Sequence, residues 1–203
     1  MSKNRILCIG RTLGSDGREI GKAAAAALKI PCYDRALLDE VLQTTDISAE
    51  HLQKYDEKRV PSFFYSLLYE GSDQTLHGKD GSEVLFELQR RFILEKAEAG
   101  PCVFIGRCAD GILKKENAAE VVSVFITSPA ADRVKRIAAW KNLSEKEALS
   151  QIHKIDRHRK SYYEFHTGKN WGDPTNYDLV LNSSAWERDA LIGLICAAYR
   201  NFA

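Results

Sequence analysis

Ile6-Leu7-Cys8-Ile9-Gly10-Arg11-Thr12-Leu13-Gly14-Ser15-Asp16-Gly17-Arg18-Glu19-Ile20-Gly21 opens the chain with an apolar run, a glycine-containing loop and the start of a helical pattern. The run is continuously apolar rather than alternating, as expected of a strand buried on both faces. Glycines let successive backbone N–H groups turn toward an anion, and a following helix presents its positive N-terminal end to the same point. The order strand, glycine loop, helix therefore predicts a phosphate-binding loop of Gly14, Ser15, Asp16, Gly17 and Arg18; a tight turn without ligand is the competing reading. The loop departs from the strict pattern GxxxxGK[ST], because Gly17-Arg18 stands where glycine and lysine would be, and it does not match GxGxxG.

Outward from this stretch, residues 102–105, 121–127 and 179–181 repeat the apolar signature, with a weaker run at 30–33. Helical signals lie between them. Ser128-Pro129 reads as an N-cap with proline in the first turn, and Ser144-x-x-Glu147 and Ser184-x-x-Glu187 read as capping boxes. Val84, Leu85, Leu88 and Phe92 recur at helical spacing before Gly100-Pro101 stops the pattern. Strands alternating with helices predict one doubly wound α/β domain, with ligands at the carboxyl ends of the strands. Residues 36–99 are too many for a simple crossover and read as a helical insert, leaving a core of 1–35 and 100–203.

Composition excludes several classes. The 203 residues hold 29 Lys+Arg against 28 Asp+Glu, a net charge of +1 that offers no general field for nucleic acid or an anionic membrane. The longest uncharged stretches are about half the roughly 20 residues of a membrane span, so no membrane association is expected. The first apolar run is too short for a secretory signal, so the expected location is cytoplasmic. Five cysteines without a CxxC pair read as reduced and structural, and no metal site is expected from the His and Cys spacing.

Five segments resemble the cytidylate kinase-like family: Gly14-Ser-Asp-Gly-Arg-Glu-Ile-Gly, Ile30-Pro-Cys-Tyr-Asp34-Arg35, Ile105-Gly-Arg107-Cys-Ala-Asp110, Asp156-Arg-His-Arg159-Lys-Ser-Tyr-Tyr and Trp171-Gly-Asp-Pro-Thr-Asn-Tyr-Asp-Leu. The resemblance implies a three-layer P-loop NTPase fold: a five-stranded parallel sheet, an acceptor-binding helical insert and an arginine-bearing lid at about 154–175. It also implies nucleotide substrates, with ATP- and Mg²⁺-dependent phosphoryl transfer to a nucleoside monophosphate, CMP by family default. No particular oligomeric state follows. Arg107, Asp34, Arg35 and Asp110 are then expected at the acceptor, and Arg157 and Arg159 on the lid.

Phosphoryl transfer asks a protein mainly for positioning and positive charge, and arginine supplies both through its bidentate fork. With the loop lysine missing, Arg18 is the nearby cation expected to take its catalytic place. Arg133 and Arg136, spaced to share one helical face, could assist. The acidic pair Asp39-Glu40 falls where the resemblance would place a second acceptor arginine, which predicts a less electropositive pocket and weakened or broadened use of CMP. A nucleotide-binding module without turnover, and a kinase of another small acceptor, are the alternatives.

Overall fold

The computed structural model describes residues 3–34 and 81–202, with side chains from residue 86 onward in the second stretch. Arg35 and the expected insert up to residue 80 lie outside the described residues. Strand β1 (Arg5–Arg11) is the central strand, with Ile6 and Leu7 at 0% exposure. It pairs in parallel with β3 (Cys102–Ile105) on one side and β4 (Glu120–Thr127) on the other, with Ile6 opposite both Cys102 and Val121. Adding β2 (Cys32–Tyr33) beside β3 and β5 (Leu179–Asn182) beside β4 gives the parallel order β2-β3-β1-β4-β5. The five strands match the five apolar runs.

Because side chains alternate across a strand, β1 feeds two cores at once. Ile6 and Cys8, with Cys102 and Phe104, face helix α2 (Gly81–Ala99) through Phe92, Ile93 and Ala97, and helix α3 (Ala109–Lys115) through Ile112 and Leu113. Leu7 and Ile9, with Val103, Ile105, Val122, Val124 and Ile126, face helix α1 (Gly17–Leu28) through Ile20 and Ala24. Helix α6 (Arg188–Arg200) covers the same face through Leu191 and Ile195. The residues of α2 from 86 onward, read from the sequence as insert, thus include a core helix of the sheet. Helices α4 (Ala130–Lys141) and α5 (Glu145–Thr167) close a smaller cluster of Ile137, Ala148 and Ile152 against Leu13.

One capping expectation holds and two are corrected. Ser144 caps α5 in a full capping box, its hydroxyl accepting from the Glu147 amide and the Glu147 carboxylate accepting from the Ser144 amide. Ser128 and Ser184 cap nothing. Helix α4 starts after Pro129 and α6 after Glu187, neither with a side-chain cap, while the Ser128 and Ser184 hydroxyls bond each other at 2.6 Å and accept from Arg136. The five cysteines carry no disulfide, and burial pushes the thiols up, Cys32 to about 11 and Cys102 to about 12. Among the described residues no helix is long and apolar enough to cross a membrane.

Leu7→Ala, which empties a side chain at the centre of the sheet, is expected to cost about 2–5 kcal/mol in urea unfolding. Trp140→Ala, at a side chain 74% exposed, should stay within about 0.5 kcal/mol.

Candidate active site

The chain leaves β1 at Arg11 and is tethered to the sheet once more by the Thr12 amide, which donates to the Ile126 carbonyl at 3.1 Å. It then turns back into α1. Ser15 is fully buried and donates its hydroxyl to the Thr12 carbonyl at 2.9 Å, which braces the turn from within. Gly14, at φ +78°, lies so close to α4 that a Cβ would sit 3.0 Å from the Arg133 carbonyl oxygen. Among the described residues, the amides of Gly14, Ser15, Asp16, Gly17, Arg18 and Glu19 donate to no protein acceptor. Six consecutive open N–H groups at a helix start form a strong anion cradle.

The preceding amide is taken: Leu13 donates to Oδ1 of Asp156 on α5 at 2.8 Å. The same carboxylate holds Arg133 at 2.6 Å and Arg159 at 3.6 Å. On the far side of the loop Arg136 donates to the Gly14 carbonyl at 3.0 Å. It also lines a groove of about 380 Å³ with Asp132, Lys135, Ser183 and Ser184.

A second group of polar side chains gathers at the ends of β2 and β3. Asp34, 5% exposed, accepts from Arg18 Nε at 2.8 Å and pairs with Lys22 at 3.2 Å. Arg107 leaves β3 immediately after Gly106, in a left-handed turn at φ 63°. Between these groups runs the side chain of Arg11, packed so closely over Gly106 that any Cβ there would strike the guanidinium. Arg159 donates to the Arg11 carbonyl at 3.2 Å. Burial, then the neighbouring Arg159 and Arg107, push the Arg11 pKa down to about 9. Behind Arg107, Tyr162 donates to Gln89 Oε1 at 3.2 Å and hydrogen-bonds Arg107, its phenol pKa raised by burial. Gln89 is fully buried, and its Nε2 has no acceptor among the described residues. Phe86 stacks on His166 at 3.7 Å, and burial lowers the His166 pKa.

A family model for the cytidylate kinase-like family matches residues 6–185, most of the chain and every element just described except α6. The chain belongs to that family. A cytidylate kinase of Methanococcus maripaludis strain C5 is 27% identical over 164 residues, spanning 78% of this chain and 92% of its own. Among solved structures, an uncharacterised protein of Eubacterium ventriosum superposes with a TM-score of 0.73 at 27% identity, covering 97% of this chain and 98% of that one. A shikimate kinase of Bacteroides thetaiotaomicron shares the fold at a TM-score of 0.52 and 16% identity, covering 98% and 99% of the two chains. The architecture is the α/β P-loop fold of such kinases.

Within that family fold, the structure brings together most of the expected site. Gly14, Ser15, Asp16, Gly17 and Arg18 form the loop and the start of α1, and Asp34, Arg107 and Arg159 converge beside it. Three expectations change. Arg18, expected over the phosphates in place of lysine, has its guanidinium on Asp34, with Nη2 at 2.6 Å. Arg157 is exposed and turned away from Arg159, because residues two apart on a helix differ by about 200° in direction. Asp110, expected at the acceptor beside Arg107, is buried on α3 and accepts the Tyr163 hydroxyl at 2.7 Å. The residues that sequence reasoning missed are Arg11, Asp156 and Gln89. Arg11 had a local signal, a charge set directly on the end of an apolar strand. Asp156 had one too, a lone acid in a basic helical stretch. Gln89 had none.

No group of three or more His, Cys, Asp or Glu able to hold a metal occurs among the described residues. Mg²⁺ often binds through one or two carboxylates together with substrate phosphates, and the exposed Asp16 and Glu19 at the loop are suited to that role.

Two outcomes test these contacts. Asp156→Ala removes the acid from between two guanidiniums that are 15% and 26% exposed, and is expected to cost about 2–3 kcal/mol in chemical unfolding. Asp110 responds to pH. Burial raises its carboxyl pKa in the fold, so its favourable contribution is complete below the ordinary value of 3.8 and is lost as pH rises through the folded value. Asp110→Asn stays neutral and still accepts from Tyr163, so it should be more stable than wild type at pH 7, with the gain vanishing toward pH 3.

Proposed function

We propose that the protein transfers the γ-phosphoryl group of ATP to a nucleoside monophosphate. The observation that carries this reading is the adjacency of six open loop amides to a cluster of guanidinium groups at the neighbouring strand ends. The amides of residues 14–19 suit the donor phosphates. The groove between Arg136 and Ser184 suits the rest of the donor nucleotide. Arg107 stands where an acceptor phosphate would meet the end of β3, and the open Nε2 of Gln89 behind it offers a donor to the polar edge of a base. Arg159, held by Asp156, is the lid arginine aimed inward. Mg²⁺, carried in with the nucleotide, supplies charge neutralisation on the phosphates.

CMP is the acceptor indicated by kinship, and its use is expected to be weak. The acidic pair Asp39-Glu40 lies outside the described residues, and the resemblance puts it in sequence where a second acceptor arginine is expected, which would lower the affinity for a dianionic substrate. Asp34 is already engaged by two cations of α1, which limits the positive charge left for that substrate. A binding module without turnover is the second reading, favoured by the engagement of Arg18 with Asp34 and by the missing lysine.

A panel of nucleoside monophosphates incubated with Mg-ATP, with ADP release read for each, decides between them. Release with CMP at a KM above roughly 0.1 mM, accompanied by at least one other monophosphate, is the expected result. Arg107→Ala should raise the acceptor KM at least about tenfold while leaving the ATP Kd unchanged in calorimetry. Nucleotide binding with no ADP release from any acceptor would establish the binding module. Absence of any nucleotide binding at millimolar concentration would overturn both.

A further inference from the structure

Arg11 is mostly buried at the end of the central strand. Its Nε is sealed from solvent and without a hydrogen-bond partner, and among the described residues its guanidinium donates to no carbonyl or carboxylate. A largely buried guanidinium whose sealed Nε has no acceptor among the described residues is costly, and such a group calls for an acceptor from outside the chain. Its charged neighbours deepen the cost. Arg159, Arg107 and Arg18 repel it, and Asp34, the carboxylate that attracts it, is occupied by Arg18 and Lys22.

The backbone around Arg11 is shaped to admit it. At the root of the side chain, a Cβ on Gly17 would approach the Arg11 Cβ to 2.6 Å. At the head, Gly106 combines φ +79° with a surface on which any Cβ would strike the guanidinium. One glycine belongs to the start of α1 and the other to the end of β3, so the side chain runs from the loop side of the site to the acceptor side. A phosphoryl group passing from a nucleotide on the loop to an acceptor at Arg107 would cross that line.

We infer that Arg11 is a catalytic residue that grips the transferred phosphoryl group, taking the place that the loop lysine holds in the strict pattern. The inference rests on the phosphoryl-transfer reading above but is tested separately from it. The attraction is between a planar cationic fork and phosphoryl oxygens, and it needs no proton transfer. The crowding of guanidiniums is the form such a site takes before its anion arrives, since a bound di- or trianion turns mutual repulsion into shared attraction.

The test compares wild type with Arg11→Met and Arg11→Gln, using inorganic pyrophosphate as a probe that requires no acceptor and no turnover. In calorimetry pyrophosphate should bind wild type and lose affinity by about tenfold or more in both variants. Thermal unfolding without ligand should show both variants melting at or above the wild-type temperature, because a repelled charge has been removed and no ion pair lost. Under Mg-ATP and whichever acceptor is used, kcat should fall by roughly 10²–10³. If no acceptor is phosphorylated, the kinase reading fails while the pyrophosphate and melting measurements still decide the role of Arg11. Wild-type pyrophosphate affinity in either variant, or no pyrophosphate binding to wild type at millimolar concentration, would overturn the inference. So would a melting temperature lowered by more than about 5 °C in both variants, which would mark Arg11 as a structural cation.

Discussion

The carboxylate of Asp156 fixes the geometry of the site. One oxygen receives the Leu13 amide at 2.8 Å and the other Arg133 at 2.6 Å, so a single charge joins the phosphate-binding loop to α4 and α5. Without that acid, Arg133 and Arg159 would share a poorly solvated space with no nearby counter-charge, and α5 would lose its bond to the loop. The bond also sets where the loop's open amides begin. Leu13 is satisfied by protein, and the six amides after it donate to no acceptor among the described residues. A buried ion pair adds little net stability, but here it selects one arrangement of three elements over others.

The site built on this clamp is unusual in its charge balance. Arg11, Arg18, Arg107 and Arg159 converge, while the acids nearby, Asp34 and Asp156, are each bound to more than one cation. The α/β fold adds to this positive field, because helix N-termini and loop amides point to the same carboxyl ends of the parallel strands, so that an anion arriving there is met by cations and N–H groups together. The cores of Ile6 and Leu7 on the two faces of β1 hold the strand end in place against the repulsion.

The sheet was legible because strands buried on both faces leave an unambiguous mark, a continuous apolar run between turn residues. The expected runs at 102–105 and 121–127 coincide with β3 and β4 to within one residue. Helix starts were legible only where the capping residue had no better offer. Ser144 caps α5, whereas Ser128 and Ser184 carry the same local signal but are claimed by Arg136, a residue distant in sequence from Ser184. The candidate site divides in the same way. Gly14, Gly17 and Arg107 follow from local order, strand then turn. Arg157 and Arg159 are two apart in sequence, and helical phase leaves Arg157 exposed while Arg159 reaches the Arg11 carbonyl. The roles of Arg11 and Asp156 depend on partners more than a hundred residues away in the chain, and no local pattern encodes such a meeting.

Helix α5 carries Asp156, Arg159, Tyr162 and Tyr163 on one continuous rod of 23 residues. At 1.5 Å per residue such a rod is about 35 Å long, and a tilt of 5° about one end displaces the other by roughly 3 Å. Its two ends are marked by left-handed residues, Asn142 just before it and Gly168 at its close. A rod of this kind is a lever: any tilt would carry Asp156, Arg159 and Tyr162 together, so that a change in the Asp156 bond to Leu13 would be felt at the contact of Tyr162 with Gln89.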